Sequence, residues 1–341
     1  MLERISTLAD ASRLDPVVER CHARVAARMD DPRLDAELRP RLCAYWDMSR
    51  STGPRRPGTL LPASLNCFAG MFLLVTLDMG RELDDAAIEA AAACELYGFA
   101  ISLLDAVQDD ELEPPISELG PAVASNAALL MFVQACDGIM AMAEPLPHPR
   151  RVRVRRCFVQ RSLISGAGQH RDLRGRRPAT LEEAAAQAED KTTTIPMIAE
   201  LAALVADAPE DRVARYYRLG RRFGRIRQCT NDLRDLYGKR TSGDLATGKW
   251  NLPLAAAWSA ADGPGRRELE RLRAQGPSAA DAIRQRLFRD GAIERVATLM
   301  ERARLEIHAE IDALGGAGSP IAVIGEAVDL ITSRLYSRTA A

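Results

Sequence analysis

The distribution of apolar residues along the chain predicts helices almost throughout. Residues 84–107 carry apolar side chains nearly all round the helical wheel, which is typical of a helix buried in a larger bundle. Residues 293–314 show one apolar stripe, as expected of an amphipathic helix. Alternating β-branched residues, which would indicate strands, are almost absent. We therefore predict an all-α fold.

Two further segments, 181–206 and 210–238, have the same helical composition. Pro196 predicts a kink or break at Thr194–Ile195, because proline lacks an N–H and restricts the residue before it. None of the breaks between the predicted helices is long enough to be an interdomain linker. We expect one domain over 1–341, a bundle of about ten or more helices, with its motifs in 53–254 and C-terminal helices in 255–341.

Composition narrows the class of protein. The 341 residues are 47% hydrophobic and 27% charged, with a net charge of −1, which fits an ordinary soluble globular protein and argues against a polyanion binder. The seven cysteines form no C-x-x-C pair, so we expect reduced thiols rather than a disulfide framework or a zinc site. The N-terminus lacks an apolar signal core, and the run Cys67–Leu77 is too short to span a bilayer. These features predict a cytoplasmic protein without a transmembrane segment.

The stretch SLLDAVQDDELEPP, residues 102–115, ends an apolar helix in carboxylates. Asp105 and Asp109 are four residues apart and lie on one helical face, while Asp110 turns away by roughly 100°. Like charges at this spacing repel one another. Either water screens them on a solvated helix end, or a cation such as Mg²⁺ lies between them.

A second cluster of polar groups occurs in QCTNDLRDLYGKRTSGDLATGKWNLPL, residues 228–254. Asn231 and Asp235 again stand four apart, and Lys239 and Lys249 follow them. A third stretch, EDKTTTIP, offers a lysine and a hydroxyl at a helix break, Lys191 and Thr192. Oxygen ligands together with ammonium groups suit a diphosphate, because metals bridge its oxygens and lysines neutralise the remaining charge. Each lysine alone also fits a solvated surface charge.

These motifs resemble those of the trans-isoprenyl diphosphate synthases, the polyprenyl synthetase group of class I isoprenoid enzymes. The resemblance covers about residues 53–254 and rests on five stretches: GPRRPGTLLP, ELYGFAISLLDAVQD, GAGQHRDL, EDKTTTIP and QCTNDLRDL with its tail GDLATGKWNLPL. It implies the isoprenoid synthase fold, in which helices surround a central apolar cavity and the two acidic motifs face each other across its mouth. It also implies a homodimer.

The resemblance further implies a ligand for most of these residues. Asp105 and Asp109 match the positions that hold two Mg²⁺ ions, and Asn231, with Asp235 alongside, matches those for a third. The residues expected at the diphosphate of a prenyl diphosphate substrate are Arg55, Arg56, Gln169, Lys191, Thr192, Lys239 and Lys249. Asp172 is expected to line the site. Metals and cations would stabilise the departing diphosphate and leave an allylic carbocation in a dry cavity.

Departures from the family pattern bear on the reaction. Ala106 replaces the second aspartate of the first motif, and Asn231 replaces an aspartate, as in terpene cyclases. Residues 111–132 contain no Arg or Lys where chain-elongating members carry an Arg pair, and each missing cation removes contacts worth roughly 1.5–3 kcal/mol. We therefore favour cyclisation or elimination of one prenyl diphosphate by a terpene synthase. The alternatives are prenyl transfer to isopentenyl diphosphate or another acceptor, and a non-catalytic homologue.

Two more features complete the predictions. Phe99, Ala100 and Ile101 lie one turn before Asp105, where bulky residues form the floor of the pocket in such enzymes. The small Ala100 suggests a substrate of C15 or longer.

The two stretches PRRVRVRRCFVQR and HRDLRGRR, within residues 149–177, hold ten arginines and one acidic residue. They fit either an RNA or anionic-membrane patch or solvated helix faces opposite the acidic loop at 109–118. We favour the solvated faces and expect no nucleic-acid partner.

Overall fold

The computed structural model describes residues 5–52, 61–237, 244–245 and 248–338. Every regular element within these ranges is a helix, which confirms the all-α prediction. The α-helices are α1 (Leu8–Ala11), α2 (Asp15–Met29), α3 (Leu38–Thr52), α4 (Phe68–Asp78), α5 (Asp85–Gln108), α6 (Gly120–Ala143), α7 (His148–Leu173), α8 (Leu181–Lys191), α9 (Thr194–Val205), α10 (Glu210–Tyr237), α11 (Leu252–Ala260), α12 (Gly263–Ala274), α13 (Ala280–Arg289), α14 (Ala292–Leu314) and α15 (Ala322–Arg338).

Local capping explains several helix boundaries. Asp84 caps α5 and accepts a hydrogen bond from the backbone N of Ala87, and Thr180 caps α8 in the same way. The break predicted at Thr194–Ile195 falls two residues earlier, because α8 ends at Lys191 and α9 begins at Thr194. Pro196 is then in the first turn of α9, where a missing N–H costs no intrahelical bond.

The chain divides into two compact units. Unit 1 comprises Met1–Val159, Met197–Tyr217 and Glu310–Ala341, and unit 2 comprises Gln160–Pro196 and Arg218–Ala309. The single domain predicted for 1–341 stays a prediction, and each unit is described by itself.

Unit 1 is built around α5, which packs against α2, α4 and α6. The small residues on α5 and α6 permit this close packing. A Cβ on Gly98 would overlap the Phe68 ring of α4, and one on Gly138 of α6 would lie 2.7 Å from the Ala93 Cβ. The buried, nearly all-apolar character predicted for residues 84–107 is therefore confirmed for most of α5.

Two described segments are long and apolar enough to cross a membrane by length and composition, namely Asp85–Gln108 and Ser117–Ala143. The first, α5, is mostly buried inside the protein, as core helices of soluble proteins often are. The second, which includes α6, has only 28% of its apolar window buried. The sequence already indicates that the first is a buried helix, and the absence of a transmembrane segment stays a prediction.

Candidate functional site

The second acidic motif lies near the end of α10, in unit 2. Asn231 and Asp235 stand one turn apart on the same face of the helix. Asn231 is exposed and Asp235 is partly exposed, whereas Asp232 is only 4% exposed. The two predicted metal ligands are therefore accessible to solvent, whereas Asp232 lies on a buried face of the same helix.

Asp232 connects α10 to the start of α11. Its Oδ1 accepts a hydrogen bond from Gln228 Nε2 at 2.6 Å, and its Oδ2 accepts one from the backbone N of Leu252 at 2.8 Å. Burial disfavours the charged carboxylate and Asp244 adds a nearby negative charge, so the pKa of Asp232 is raised to about 7. Asp232 therefore fixes the first turn of α11 against α10.

The segment from residue 248 to 251 is tied to Asp244. The backbone N of Lys249 donates to the Asp244 carbonyl at 2.9 Å, and Asn251 Nδ2 donates to the Asp244 carboxylate at 3.2 Å. Asn251 also caps α11, its Oδ1 accepting from the backbone N of Leu254. Burial, followed by the charge of Asp235, raises the pKa of Asp244 to about 6. These contacts set the position of Lys249 next to the acidic motif.

Two predicted diphosphate-binding lysines share one carboxylate. Lys191 Nζ and Lys249 Nζ both donate to Asp172 Oδ2, at 2.8 and 3.2 Å. Burial acts to raise the pKa of Asp172, but the charges of the two lysines outweigh it and the pKa is lowered. Residues from the end of α7, the end of α8 and the segment before α11 therefore meet at one point in unit 2.

Close helix packing holds Lys191 and Thr192 in place. A Cβ on Gly168 of α7 would lie 2.5 Å from the backbone N of Lys191, and one on Gly224 of α10 would lie 2.7 Å from Thr192 Oγ1. Glycine is needed at both positions because any side chain would push α8 away. Thr192 Oγ1 donates to the Ala188 carbonyl at 2.9 Å, so its proton already has an acceptor within the helix.

A buried charge cluster fixes the same end of α8. The carboxylate of Glu189, which is buried, forms ion pairs with three arginines of α10, namely Arg221, Arg222 and Arg225. Breaking a buried ion pair is strongly destabilising, because it leaves an uncompensated charge. Glu189 thus anchors the turn that carries Lys191 to α10.

Stacked side chains cover the segment that carries Lys249. The guanidinium of Arg273 lies 3.9 Å from the centre of the Trp250 ring, and Arg273 also donates to the Gly248 carbonyl. Trp250 packs edge to face on Trp258, and Arg177 stacks 4.0 Å from the Trp258 ring. Trp250 is therefore packed between Trp258 and Arg273.

The first acidic motif lies at the end of α5, in unit 1. Asp105 and Asp109 are partly exposed, and Asp109 is the C-cap, its backbone N donating to the Asp105 carbonyl at 2.9 Å. No basic residue occurs in the last turn of α5. Carboxylates at a helix C-terminus are unfavourable because they face the negative end of the helix dipole. A bound cation would reverse that effect.

The predicted pocket residues precede this motif on α5. Phe99 is buried against Tyr45 and Trp46 of α3, at ring distances of 5.6 and 4.9 Å. Ala100 is also buried, and Ile101 is partly exposed. Their role in setting substrate length stays a prediction, as does the role of Gln169, which lies on α7 one turn before Asp172. Three predicted residues, Arg55, Arg56 and Lys239, lie outside the described residues.

The arginine-rich stretch pairs with carboxylates on its own unit. In unit 1, Arg150 pairs with Asp207, Arg151 and Arg155 pair with Glu144, and Arg153 pairs with Glu210. In unit 2, Arg171 pairs with Asp190 and Arg177 with Glu270. None of these partners is in the loop at 109–118, and the choice between solvated helix faces and an anionic-ligand patch stays a prediction.

The donors of each acidic motif, taken separately, suit magnesium. Asp105, Asp109 and Asp235 supply carboxylate oxygens and Asn231 an amide oxygen, all partly or fully exposed, and hard oxygen donors are what Mg²⁺ prefers. The sequence did not reveal that Asp232 is buried, nor that Asp232 and Asp244 support the second motif. The sequence did contain a signal for the burial of Asp232, because this residue lies off the helical face shared by Asn231 and Asp235 and is next to the apolar Leu233.

Comparison with protein families shows to which family the chain belongs. The polyprenyl synthetase family model matches residues 69–289, so the chain belongs to this family, whose members act on prenyl diphosphates. No curated protein sequence matches the chain.

Solved structures show the same fold at low sequence identity. A decaprenyl diphosphate synthase from Rhodobacter capsulatus is 16% identical, with a TM-score of 0.79 over 95% of this chain and 98% of that one. A geranylgeranyl pyrophosphate synthetase from Pyrococcus horikoshii Ot3 is 21% identical, with a TM-score of 0.75 over 95% and 98%. A polyprenyl synthase from Caulobacter crescentus CB15, complexed with calcium and isoprenyl diphosphate, is 18% identical, with a TM-score of 0.77 over 97% and 99%. These likenesses establish the isoprenoid synthase fold.

Proposed function

We propose that the protein is a Mg²⁺-dependent prenyltransferase that ionises an allylic prenyl diphosphate and adds the allylic group to isopentenyl diphosphate or another acceptor. Family membership supports this reaction over the cyclisation that the sequence favoured. The neighbouring structures point the same way, since those named above are prenyl or polyprenyl synthases. The observation that carries the proposal is the pair of ammonium groups, Lys191 Nζ and Lys249 Nζ, held on Asp172 within 3.2 Å.

This pair is suited to a leaving diphosphate. Negative charge grows on the diphosphate as the allylic C–O bond breaks, and fixed cations that are already in place stabilise it without reorganisation. Lys249 is only 8% exposed, so its charge is weakly screened by water. Asp172 holds both lysines until the diphosphate binds, and Glu189 and Asn251 keep their backbone segments in position.

The family resemblance implies three Mg²⁺ ions, which would supply positive charge for the diphosphate oxygens when bound. Asp105, Asp109, Asn231 and Asp235 are the residues we propose to hold them. The calcium in the Caulobacter crescentus neighbour is consistent with divalent cations in this fold.

A second candidate reaction, cyclisation or elimination of a single prenyl diphosphate, is favoured by one observation. Residues 111–132 contain no Lys or Arg, which weakens the case for binding a second anionic substrate there. The two reactions differ in their need for isopentenyl diphosphate, so one assay separates them.

The test is incubation with Mg²⁺ and allylic diphosphates of C10, C15 and C20, with and without isopentenyl diphosphate. A longer diphosphate formed only with isopentenyl diphosphate supports chain elongation, whereas hydrocarbon or alcohol released without it supports the one-substrate reaction. Lys249→Gln should abolish either product, and the matched control Arg271→Gln, on the exposed face of α12, should not. No turnover of any allylic diphosphate with or without isopentenyl diphosphate would favour a non-catalytic homologue.

We also propose that the protein is a homodimer that joins through α6. Leu129 and Val133 of this helix are 58% and 56% exposed, and Val123 is exposed on the same helix. An apolar face of this kind generally marks an interaction surface. Val133→Asp should shift sedimentation from dimer to monomer, while Leu305→Asp, at an equally exposed position of α14, should not. A monomeric wild type would refute the dimer, and wild-type binding to lipid vesicles that Val133→Asp abolishes would assign the face to a membrane.

A cytoplasmic location remains part of the proposal. All seven cysteines are free thiols, and five of them are buried, which is consistent with a reducing compartment.

A further inference from the structure

A buried cluster of three unlike side chains lies in unit 1, on helices that carry none of the predicted lysines. His22 of α2, Cys67 at the start of α4 and Glu95 of α5 place one ligand atom each within 4.8 Å of one another. They are 2%, 9% and 0% exposed. Among the described residues this is the one group of His, Cys and carboxylate side chains with such spacing.

The surroundings make this cluster well ordered. Cys67 is the N-cap of α4, and its Sγ accepts from the backbone N of Gly70 at 3.3 Å. Glu95 accepts from the backbone N of Ala69 at 2.8 Å. Both groups are therefore fixed at the first turn of the same helix, and a Cβ on Gly70 would overlap the backbone of Ser64, so this turn cannot shift freely.

His22 is also oriented by its neighbours. Its ring packs edge to face on Trp46 at 5.3 Å, and Glu19 Oε1 lies 3.6 Å from its Nδ1. A carboxylate next to one ring nitrogen is a common partner of a metal-bound histidine, because it fixes the ring and raises its basicity.

We infer that His22, Cys67 and Glu95 form a site for a transition-metal ion, Zn²⁺ being the best match. Thiolate, imidazole and carboxylate are its usual ligands, and three protein ligands leave a fourth position for water. Donors within 4.8 Å need only small movements to reach ligand distances of about 2.0–2.3 Å. Binding would release the Cys67 thiol proton to solvent, since the thiolate is the ligand. The ion would link α2, α4 and α5. This site would exist whether or not the protein catalyses the proposed reaction.

The chain contains the variants for a sharp test. Cys67→Ser removes the thiolate but keeps an N-cap residue, because a serine hydroxyl accepts the same backbone hydrogen bond. Cys94→Ser is the matched control, since Cys94 is a buried free thiol next to Glu95 in sequence and outside the cluster. Glu95→Gln serves as a second ligand variant, because its amide oxygen still accepts from Ala69.

Zn²⁺ affinity is measured by chelator competition under reducing conditions, with excess Mg²⁺ to occupy the acidic motifs. The wild type and Cys94→Ser should bind one Zn²⁺ per chain, and Cys67→Ser and Glu95→Gln should bind it about tenfold or more weakly. Co²⁺ added to the wild type should give a thiolate charge-transfer band that Cys67→Ser lacks. Circular dichroism shows whether each variant is folded.

Three results would overturn the site. These are a folded wild type that binds no Zn²⁺ or Co²⁺, equal affinity in Cys67→Ser and the wild type, or a charge-transfer band that persists in Cys67→Ser. If Cys67→Ser failed to fold, the Co²⁺ spectrum of the wild type and the affinity of Glu95→Gln would still decide the outcome.

Discussion

The two acidic motifs differ in how the protein accommodates their charges. At the second motif, Asp232 accepts two hydrogen bonds inside unit 2, and the nearby Asp172 is paired with two lysines. At the first, Asp105 and Asp109 lie at the C-terminal end of α5, whose last turn has no basic residue. At the second motif, hydrogen bonds thus hold a buried carboxylate whose charge the burial itself disfavours. At the first, two partly exposed carboxylates lie at the negative end of a helix dipole, where a bound cation would be favourable.

This difference teaches that the two motifs contribute differently to folding and to function. A change at Asp105 should affect activity and leave the metal-free fold almost unchanged. A change at Asp232 should weaken the fold itself.

The largest expected effect tests that separation directly. Asp105→Asn should lower turnover of an allylic diphosphate by about 10²–10³-fold, because it weakens the charge stabilisation that the cations provide. Its metal-free unfolding free energy should change by less than about 0.5 kcal/mol, since Asp105 is partly exposed. Asp232→Asn should instead cost about 1–3 kcal/mol, because one of two buried donors loses its carboxylate acceptor. Urea denaturation without metal, beside the activity assay, gives both values. Equal destabilisation by the two variants would contradict the comparison.

The packing that supports the second motif is tested by Gly168→Ala. Its Cβ would meet the backbone of Lys191 at 2.5 Å, so α8 must move, at a cost of about 1–3 kcal/mol and with a loss of activity. Gly166→Ala on the same helix is the matched control, because nothing lies within 4 Å of its Cβ. It should stabilise the protein by about 0.5–1 kcal/mol, since alanine favours the helix. A neutral Gly168→Ala would mean that Lys191 is not held by this contact.

A smaller effect is expected at the segment that carries Lys249. Arg273→Ala removes the stacking on Trp250 and the hydrogen bond to the Gly248 carbonyl, so it should cost about 1 kcal/mol and raise the KM for the diphosphate. Arg271→Ala, whose partner Glu268 is exposed, should change the stability by less than about 0.5 kcal/mol. Identical kinetics for Arg273→Ala and the wild type would show that Arg273 does not position Lys249.

Sequence periodicity predicted the parts of this comparison that are local. The four-residue spacings placed Asp105 with Asp109 and Asn231 with Asp235, and the helices that carry them are observed close to the predicted bounds. Contacts between distant segments were not predictable from spacing. The shared hydrogen bonds of Lys191 and Lys249 join positions in different helices, and the role of Asp232 as an anchor depends on its burial.

The smallest expected effect separates helix electrostatics at the first motif from metal binding. Asp110 follows α5 with a φ of 58°, a conformation that asparagine tolerates well, and its charge lies at the negative end of the helix dipole. Asp110→Asn should therefore stabilise the metal-free protein by about 0.3–1 kcal/mol. Asp211→Asn, in the first turn of α10, should destabilise it by a similar amount, because a carboxylate is favourable at a helix N-terminus. Both shifts should shrink in high salt, and melting curves at two salt concentrations measure them. Shifts of the same sign in the two variants would show that the charges at the end of α5 are not unfavourable, and the contrast between the motifs would then require another cause.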